Sequence, residues 1–384
     1  MVNLRHLKTA SERRTTLENE LKIELPNIGL SQMTDAEGKN CENIIGALQI
    51  PVGIAGPLKI TGQQAIGDFY VPFATTEGAL VASINRGMKA ISQSGGATTI
   101  SNRVGITRAP VFRVKNLIEG QEFIKGVQEK FETLKKIAEK TSTHLTLLEI
   151  KPWQAGRNVF LRFRYDTQDA MGMNMATIAT SAVVRHLEDT TSITCIALSG
   201  NMCVDKKPNV LNFIEGRGIS TQAEVTISKE TLSEVLKTNA SELFEVFQRK
   251  VIYGSILSGS IGANAQAANV LAALFAATGQ DVAHIAEASS VVTTVEELDN
   301  ESIYISVSLP DLPVGTAGGG TNLPTQKEAL SILGIQGGNN GLNAQKLAEV
   351  MAGSVLAGEL SLLASLAENS LACAHETLGR GKTQ

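Results

Sequence analysis

Residues 199–218 have the sequence SGNMCVDKKPNVLNFIEGRG, with the charged triplet Asp205-Lys206-Lys207 near the centre. Pro208 follows directly, and because proline lacks an N–H and disfavours a helical residue before it, the triplet is predicted to lie on a loop. Exposed triplets of this kind are commonly solvated turns. If the loop instead folds into a cleft, one of its lysines can stabilise negative charge developing on a carbonyl oxygen.

The composition around this loop is that of an ordinary soluble protein. The 384 residues are 43% hydrophobic and 19% charged, which predicts a large core and two domains. A net charge of -4 and an aromatic content of 4% disfavour a nucleic-acid partner. The N-terminus lacks the apolar core of a secretory signal, and no apolar run reaches about 18 residues. We therefore expect a cytoplasmic protein that binds neither nucleic acid nor membrane.

Four cysteines lie far apart, without metal-site or C-x-x-C spacing: Cys41, Cys195, Cys203 and Cys373. This pattern predicts reduced thiols and no metal site.

A change in the pattern of predicted strands and helices over 108–197 suggests an inserted domain. Strand-like segments at 108–115, 145–153 and 158–166 surround a charged amphipathic helix predicted over 117–140. The expected fold class is α+β: an N-terminal helical segment (1–40), a large, mostly helical domain (41–109 and 198–384), and a small α/β domain (110–197) inserted in it. Neither G-x-G-x-x-G nor the P-loop motif occurs, so the small domain is not predicted to be a Rossmann fold.

Several helices are predicted from apolar periodicity and capping residues. One covers 11–22 with Ser11 as its cap, one covers 75–92 and begins at Thr75 or Thr76, and one covers 169–187 from Asp169. Residues 229–278 are predicted to be mostly helical up to Gly279, and the tail forms a long helix over 343–375.

Each chemically interesting residue also has an ordinary structural explanation. Glu77 suits the first turn of a helix, Asp281 can cap the helix after it, and His375 can lie on the surface of the last helix. Cys203 lies two residues before the charged triplet and could be a thiolate nucleophile, but no histidine is nearby in sequence to act as its base. The triple glycine 318–320 is weak evidence for a phosphate cradle. Spacing alone does not assemble these residues into a site.

Six segments, in order along the chain, resemble the signatures of the 3-hydroxy-3-methylglutaryl-coenzyme A (HMG-CoA) reductase family: ENIIGALQIPVGIAGPL (42–58), FATTEGALVASINRG (73–87), DAMGMNMAT (169–177), the opening segment (199–218), SGSIGANAQAANVLAALFAATGQD (258–281) and VGTAGGGTNLPTQKEALSILG (314–334). The tail GELSLLASLAENSLACAH (358–375) resembles class I, in a soluble form without a membrane anchor. The resemblance implies reduction of HMG-CoA to mevalonate and coenzyme A with two NADPH. It also implies a cofactor held on a ferredoxin-like inserted domain.

The resemblance implies roles for four catalytic residues. Lys206 would stabilise the oxyanion and Glu77 would exchange a proton at the reduced carbonyl. Asp281 would couple these two groups, and His375 would protonate the departing coenzyme A thiolate.

Further residues are implied as binding groups, in a site formed between the protomers of at least a homodimer. The implied substrate contacts are Arg108, Ser199, Asp205, Lys207, Lys250 and Asn269. The implied coenzyme A contacts are Glu42, Asn43, Ser83, Asn85, Arg86, Lys89 and Lys237. The implied nicotinamide cofactor contacts are Ser142, Thr143, Asp169, Ala170, Met171, Gly172, Met173, Asn174, Gly315, Thr316 and Ala317.

The chain departs from the family pattern at three points. Ser142-Thr143 stands where animal relatives have Ser-Arg, which leaves NADH possible although NADPH is favoured. Gln266 replaces a histidine, and Gly381 replaces a phosphorylatable serine, so that switch is expected to be absent. Two alternatives stay open: an acylating aldehyde dehydrogenase that uses Cys203, and a non-catalytic acyl-coenzyme A-binding protein.

Overall fold

A computed structural model describes residue 7, residues 9–21, residue 36 and residues 39–368, and it shows the predicted mixture of helix and sheet. The α-helices are α1 (Ala10–Leu21), α2 (Leu80–Gln93), α3 (Leu117–Glu129), α4 (Phe131–Glu139), α5 (Met173–Thr190), α6 (Val210–Glu215), α7 (Lys229–Thr231), α8 (Ala240–Val246), α9 (Gly254–Ser258), α10 (Ala267–Thr278), α11 (Ile285–Ala288), α12 (Pro324–Ile332) and α13 (Leu342–Ala367). Two π-helical turns, Leu232–Leu236 and Phe247–Tyr253, continue α7 and α8, and short 3-10 turns cover Val282–His284 and Gly319–Asn322.

The strands form a hairpin and one large sheet. Their bounds are β1 (Val52–Thr61), β2 (Ile66–Ala74), β3 (Thr98–Arg108), β4 (Val111–Arg113), β5 (Thr146–Ala155), β6 (Asn158–Asp166), β7 (Thr194–Ala197), β8 (Arg217–Ile227), β9 (Val292–Glu297) and β10 (Ile303–Leu312). β1 pairs with β2, and the eight-stranded sheet has the order β7-β4-β6-β3-β8-β10-β9, with β5 on the other side of β6.

β3 joins the two halves of the large sheet. Its first part, from Thr98 to Gly105, pairs with β8, and its last three residues, Ile106 to Arg108, pair with β6. Buried apolar side chains form two separate clusters on either side of this junction. One contains only residues between Ile106 and Ile193, and the other contains residues from 55 to 97 and from 219 to 364. Arg108 therefore lies where the two cores meet.

Between residues 111 and 197 the chain follows the order β4, α3, α4, β5, β6, α5, β7. The strands of this part lie in the antiparallel order β5-β6-β4-β7. The single helix predicted over 117–140 is wrong in one respect, because it breaks at Lys130 into α3 and α4.

The long helix α13 is the centre of the larger core. It is long and apolar enough to cross a membrane by length and composition, but 83% of its apolar window is buried inside the protein. Two glutamates within it are fully buried and accept several hydrogen bonds. Glu349 binds the Gln64 and Ala65 amides and two hydroxyls, and Glu359 binds the Ala265 and Gln266 amides and Thr293 Oγ1. Such buried carboxylates fix neighbouring loops in place.

The first helix begins earlier than its predicted cap. Thr9 Oγ1 accepts the Glu12 amide at 3.1 Å while Glu12 Oε2 accepts the Thr9 amide at 3.2 Å. This reciprocal pair is a capping box, so the prediction of Ser11 as the cap is wrong.

Candidate active site

Lys206 and Asp281 form the clearest reactive pair. Lys206 Nζ lies 2.6 Å from Asp281 Oδ2, and both side chains are little more than one-third exposed. Lys206 has a φ of 58°, a left-handed backbone conformation that is uncommon for a residue other than glycine. Asp281 is held from its other side by the Ala283 amide, whose N–H donates to Oδ1 at 3.1 Å, so Asp281 does cap the turn after it.

The electrostatics of Asp281 favour its carboxylate form. Partial burial raises its pKa, but the hydrogen bonds from Lys206 and from the Ala283 amide, together with the charges of His284 and Lys206, outweigh burial and leave the pKa below its ordinary value. The site therefore presents an ammonium group held by an ionised carboxylate, next to open space.

That space is a cleft of about 700 Å³, a volume within the range of small-molecule sites. It brings together the reactive pair, Asp205, Arg108 and both predicted cofactor segments. Its lining comprises Lys39, Asn40, Arg108, Ala170, Met171, Gly172, Met173, Asn174, Met175, Asp205, Lys206, Gly279, Gln280, Asp281, Gly315, Ala317, Gly318, Gly319, Gly320 and Thr321.

Glycines set the shape of this cleft. A side chain on Gly315 would meet the Met171 amide nitrogen at 2.4 Å, and one on Gly279 would meet the Gly320 carbonyl oxygen at 2.4 Å. Gly279 also ends α10 in the left-handed conformation, as predicted, with a φ of 72°. The close approach of these backbones brings Asp281 and the 318–320 loop to the same cleft.

Two predicted cofactor residues lie behind the cleft rather than in its lining. The carboxylate of Asp169 is buried and accepts the amides of Asn339, Gly341 and Ala344 at 2.5–2.9 Å. Thr316 Oγ1 donates to the Gly337 carbonyl oxygen. Asp169 was also predicted to begin a helix, but α5 begins at Met173 after Gly172, whose φ is 91°. Asp169 therefore fixes the loop instead of opening the helix.

Arg108 lines the cleft and is anchored at one nitrogen. Its Nη2 donates to Thr177 Oγ1 at 2.7 Å, whereas its Nε is buried and has no hydrogen-bond partner among the described residues. A guanidinium group in a cleft suits a carboxylate or phosphate ligand. Ser142 lies near the rim, with Oγ 3.6 Å from Met175 Sδ, and Thr143 beside it is exposed.

A buried ion-pair network supports the reactive loop from behind. Arg217 Nη2 donates to Asp205 Oδ1 at 2.8 Å and Arg217 Nη1 donates to Glu287 Oε1 at 3.1 Å. Glu287 Oε1 also accepts the Lys206 amide at 3.1 Å. Asp205 thus binds Arg217 as well as lining the cleft, whereas Lys207 lies exposed, its Nζ donating to the Asp205 carbonyl oxygen.

Sequence reasoning missed this network because Arg217, His284 and Glu287 belong to different elements. The signal in the sequence is the Gly-Arg-Gly run at 216–218, where an arginine lies between two glycines of positive φ. The glycine loop 318–320, weak evidence by itself, does line the cleft, and Lys39 and Asn40 carry no sequence signal.

Glu77 and Asn269 form a second patch, separate from the cleft lining. Asn269 Nδ2 donates to Glu77 Oε1 at 3.4 Å, and both residues are exposed. The helix predicted to begin at Thr75 or Thr76 begins at Leu80, because Thr75 Oγ1 accepts the Glu77 amide in a preceding turn and Ala79 has a φ of 70°. The placement of Glu77 in the first turn of a helix is therefore wrong.

The predicted coenzyme A residues are distributed over several surfaces. Ser83 and Arg86 bind Ser361 on α13, Asn85 accepts the Gly56 amide, and Lys89 is exposed. Lys237 lines a different cavity of about 660 Å³, and Lys250, which was predicted as a substrate contact, lines a third of about 370 Å³. Glu42 and Asn43 are exposed. Within the described part of one chain, none of these residues lines the cleft of Lys206.

Cys203 is a poor nucleophile in this arrangement. It is buried, and its Sγ lies 3.3 Å from Ser199 Oγ, which ties the predicted substrate residue Ser199 to the thiol. His375 lies outside the described residues.

Asp311, across the sheet from Arg217, should make stability depend on pH. It is buried, and burial raises its pKa to about 7 although the charges of Arg217 and Arg162 and a hydrogen bond with Asn212 act to lower it. An unfolded aspartate titrates near 3.9, so the folded state binds the proton of Asp311 more tightly than the unfolded state does. The resulting stabilisation of the fold is complete below about pH 4 and is lost as the pH rises through about 7.

We expect Asp311→Asn, which mimics the protonated acid, to remove this dependence. Wild-type protein should lose about 2 kcal/mol more unfolding free energy than the variant between about pH 5 and pH 8, measured by urea unfolding. Parallel curves for the two proteins would contradict the assignment.

Taken together, the fold and the cleft define an enzyme-like site in which an ammonium–carboxylate pair faces a binding space for an anionic ligand. The sequence profile of the hydroxymethylglutaryl-coenzyme A reductase family matches residues 9–380. The chain belongs to this family, as the sequence predicts.

Relatives with the same description are similar over nearly the whole chain. The 3-hydroxy-3-methylglutaryl-coenzyme A reductase of Halobacterium salinarum is 50% identical over 341 residues, which is 88% of this chain and 84% of that protein. That of Pyrococcus abyssi is 48% identical over 374 residues, 96% of this chain and 92% of that protein.

Solved structures show the same fold at lower identity. A class II reductase from Streptococcus pneumoniae, described as bound to NADPH in open conformations, superposes with a TM-score of 0.70 at 19% identity. The match covers 94% of this chain and 87% of that one.

Proposed function

We propose that the protein reduces HMG-CoA to mevalonate and coenzyme A, using two NADPH. The observation that carries the proposal is the Lys206–Asp281 pair, held at 2.6 Å in the same cleft as both predicted cofactor segments. The family match supports the reaction, and the binding-only alternative gives no reason for the cleft to hold a reactive ion pair.

We place the nicotinamide ring and the acyl group of the substrate side by side in the cleft. Its wall at Gly315 and Ala317 has small side chains, so a flat ring can approach the backbone. Arg108 lines the same cleft and brings a guanidinium group to it. A bound nicotinamide would supply the reducing equivalents, with residues 170–174, Gly315 and Ala317 holding it. NADPH is favoured over NADH, although Thr143 supplies no arginine for a 2′-phosphate.

The residues of the chain supply charge and protons. The Lys206 ammonium group stabilises the oxyanion that forms at the thioester carbonyl, and the Asp281 carboxylate keeps that ammonium group in place. Glu77 exchanges a proton at the reduced carbonyl and His375 protonates the coenzyme A thiolate, as the family resemblance implies. Arg108 and Lys207 bind the substrate carboxylate.

The domain organisation belongs to the same proposal. Residues 110–197 form a ferredoxin-like cofactor domain inserted between 41–109 and 198–384. The β-α-β-β-α-β order, the strand arrangement β5-β6-β4-β7 and the separate apolar core support this assignment. The class I assignment rests on the tail sequence, and the cytoplasmic location rests on the composition. The solved relative is described as class II and so does not itself support class I.

Self-association explains why Glu77 is separate from Lys206. Glu77 and Asn269 are exposed together and lie outside the cleft lining that contains Lys206. We propose that the active site forms between protomers, with Glu77 of one chain facing the cleft of another. The exposed apolar side chains Leu48, Val52, Ile66 and Tyr70 provide surface for such contact.

The Cys203 alternative makes an opposite prediction for one variant. Cys203→Ala should keep at least about half of the wild-type kcat, because the thiol is buried and does not line the cleft that contains Lys206. An acylating dehydrogenase would lose its acyl-enzyme and all turnover. Steady-state assays of both proteins decide the matter, with thermal unfolding as the control for folding.

The direct test is loss of nicotinamide absorbance with HMG-CoA, run in parallel with NADPH and NADH. Turnover with NADPH supports the proposal. Absence of turnover with both cofactors would overturn it.

A further inference from the structure

His284 is a buried titratable group that the reaction outlined above does not use. It lies at the end of the 3-10 turn that Asp281 begins, and its side chain is fully buried. Nδ1 lies 2.7 Å from Glu287 Oε1, and Nε2 lies 3.8 Å from Asp281 Oδ2. One imidazole ring therefore stands between the carboxylate that holds Lys206 and the carboxylate that accepts the Lys206 amide.

The hydrogen bonds around Glu287 fix the orientation of the ring. Glu287 Oε1 accepts from Arg217 Nη1 and from the Lys206 amide, and we assign the proton of His284 Nδ1 to the contact with the same oxygen. Nε2 is buried and has no hydrogen-bond partner among the described residues. Asp281 Oδ2 lies 3.8 Å from this nitrogen, and closing the gap to hydrogen-bond length needs a movement of about 1 Å.

Charged groups face the ring from several elements. Asp281, Glu287 and Asp205 face it, the last with Oδ1 3.8 Å from Nδ1. Opposing positive charge comes from Arg217 and from Lys206, while Asp311 lies behind on β10 and α10 contributes no titratable side chain. Asp205, His284 and Glu287 have the composition of a metal site, but Arg217 already supplies a cation to both carboxylates.

We propose that His284 is a positioning residue for the reduction, which in its protonated form donates to both Asp281 and Glu287 and so holds Asp281 against Lys206. When the ring loses its Nε2 proton to solvent, a lone pair faces the Asp281 carboxylate, and the hydrogen bond that positions Asp281 is lost. The inference rests on the proposed function and adds a histidine, working through Asp281, that is distinct from His375. Imidazole is the side chain that ordinarily changes charge between about pH 5 and 8, so turnover should depend on pH through His284.

The first test compares kcat against pH for wild type, His284→Gln and His186→Gln. Glutamine can donate to one carboxylate but does not titrate. His284→Gln should lower kcat about tenfold near pH 6 while KM for HMG-CoA stays within about twofold. The deficit should shrink as the pH rises, because wild type loses the same contact. His186, on α5 and outside the site, should give the wild-type profile. A deficit that does not change with pH, or no deficit, would overturn the proposal.

The second test does not depend on turnover. Heteronuclear NMR of the imidazole nitrogens, with the His284 signal assigned by its loss in His284→Gln, should show Nδ1 protonated throughout and Nε2 titrating. Asp281→Asn removes a facing negative charge and should move the Nε2 titration to lower pH. An unmoved titration would refute the coupling even if the protein is an active reductase. A shifted titration in a protein that fails to reduce HMG-CoA would instead refute the proposed function alone.

Discussion

Replacing Lys206 by alanine is expected to lower kcat by about 100-fold to 1000-fold, the effect of removing one donor to a developing oxyanion. Lys206 Nζ is fixed by Asp281 at 2.6 Å, so its charge is in place before the reaction begins. Coenzyme A binding, measured by calorimetry, should be nearly unchanged because the loss falls on the transition state.

The neighbouring lysine is the matched control. Lys207 is exposed and its Nζ contacts only a main-chain oxygen among the described residues. Lys207→Ala should raise KM for HMG-CoA and leave kcat within about threefold. If Lys206→Ala kept more than about a tenth of the wild-type kcat, its oxyanion role would be wrong.

Mixing two inactive variants is expected to restore activity. If Glu77 of one protomer completes the cleft of another, a mixed dimer of Glu77→Gln and Lys206→Ala has one site with both substitutions and one site with neither. Random assortment makes half the dimers mixed, so co-expression should recover about a quarter of wild-type activity. Each variant alone should be inactive. Differently tagged chains allow the mixed dimer to be purified and assayed.

Lys206→Ala with Asp281→Asn is the corresponding control. These two side chains contact each other within one chain, so every site in the mixed dimer keeps one substitution and activity should not return. Recovery in this control, or no recovery with Glu77→Gln, would show that the site is not shared between protomers in the proposed way.

Local signals in the sequence predicted much of the fold. The strand at 158–166 was placed correctly, as was the stop at Gly279, because alternation and a left-handed C-cap are properties of neighbouring residues. Helix starts were less accurate. Thr9, not Ser11, caps the first helix, because Glu12 completes a capping box with it. Gly172, not Asp169, precedes α5, because the Asp169 carboxylate binds distant main-chain amides instead.

The site was predictable only through family resemblance. Lys206 and Asp281 are 75 positions apart in the sequence, and a separation of this length does not predict an ion pair. The supporting network could not be predicted for the same reason: Arg217 begins β8, Glu287 lies in the short helix α11, and only tertiary folding brings them together. Asp169 shows the converse, since a residue implied as a cofactor contact serves to hold the backbone behind the cleft.

The most direct test of the central claim is the ratio of nicotinamide oxidised to coenzyme A released, measured in one reaction with HMG-CoA. Reduction of the thioester through to an alcohol consumes two nicotinamides for each coenzyme A, and this is the result we expect. A ratio of one would indicate that reduction stops at the aldehyde, and coenzyme A release without nicotinamide oxidation would indicate hydrolysis. Either result would contradict the assignment.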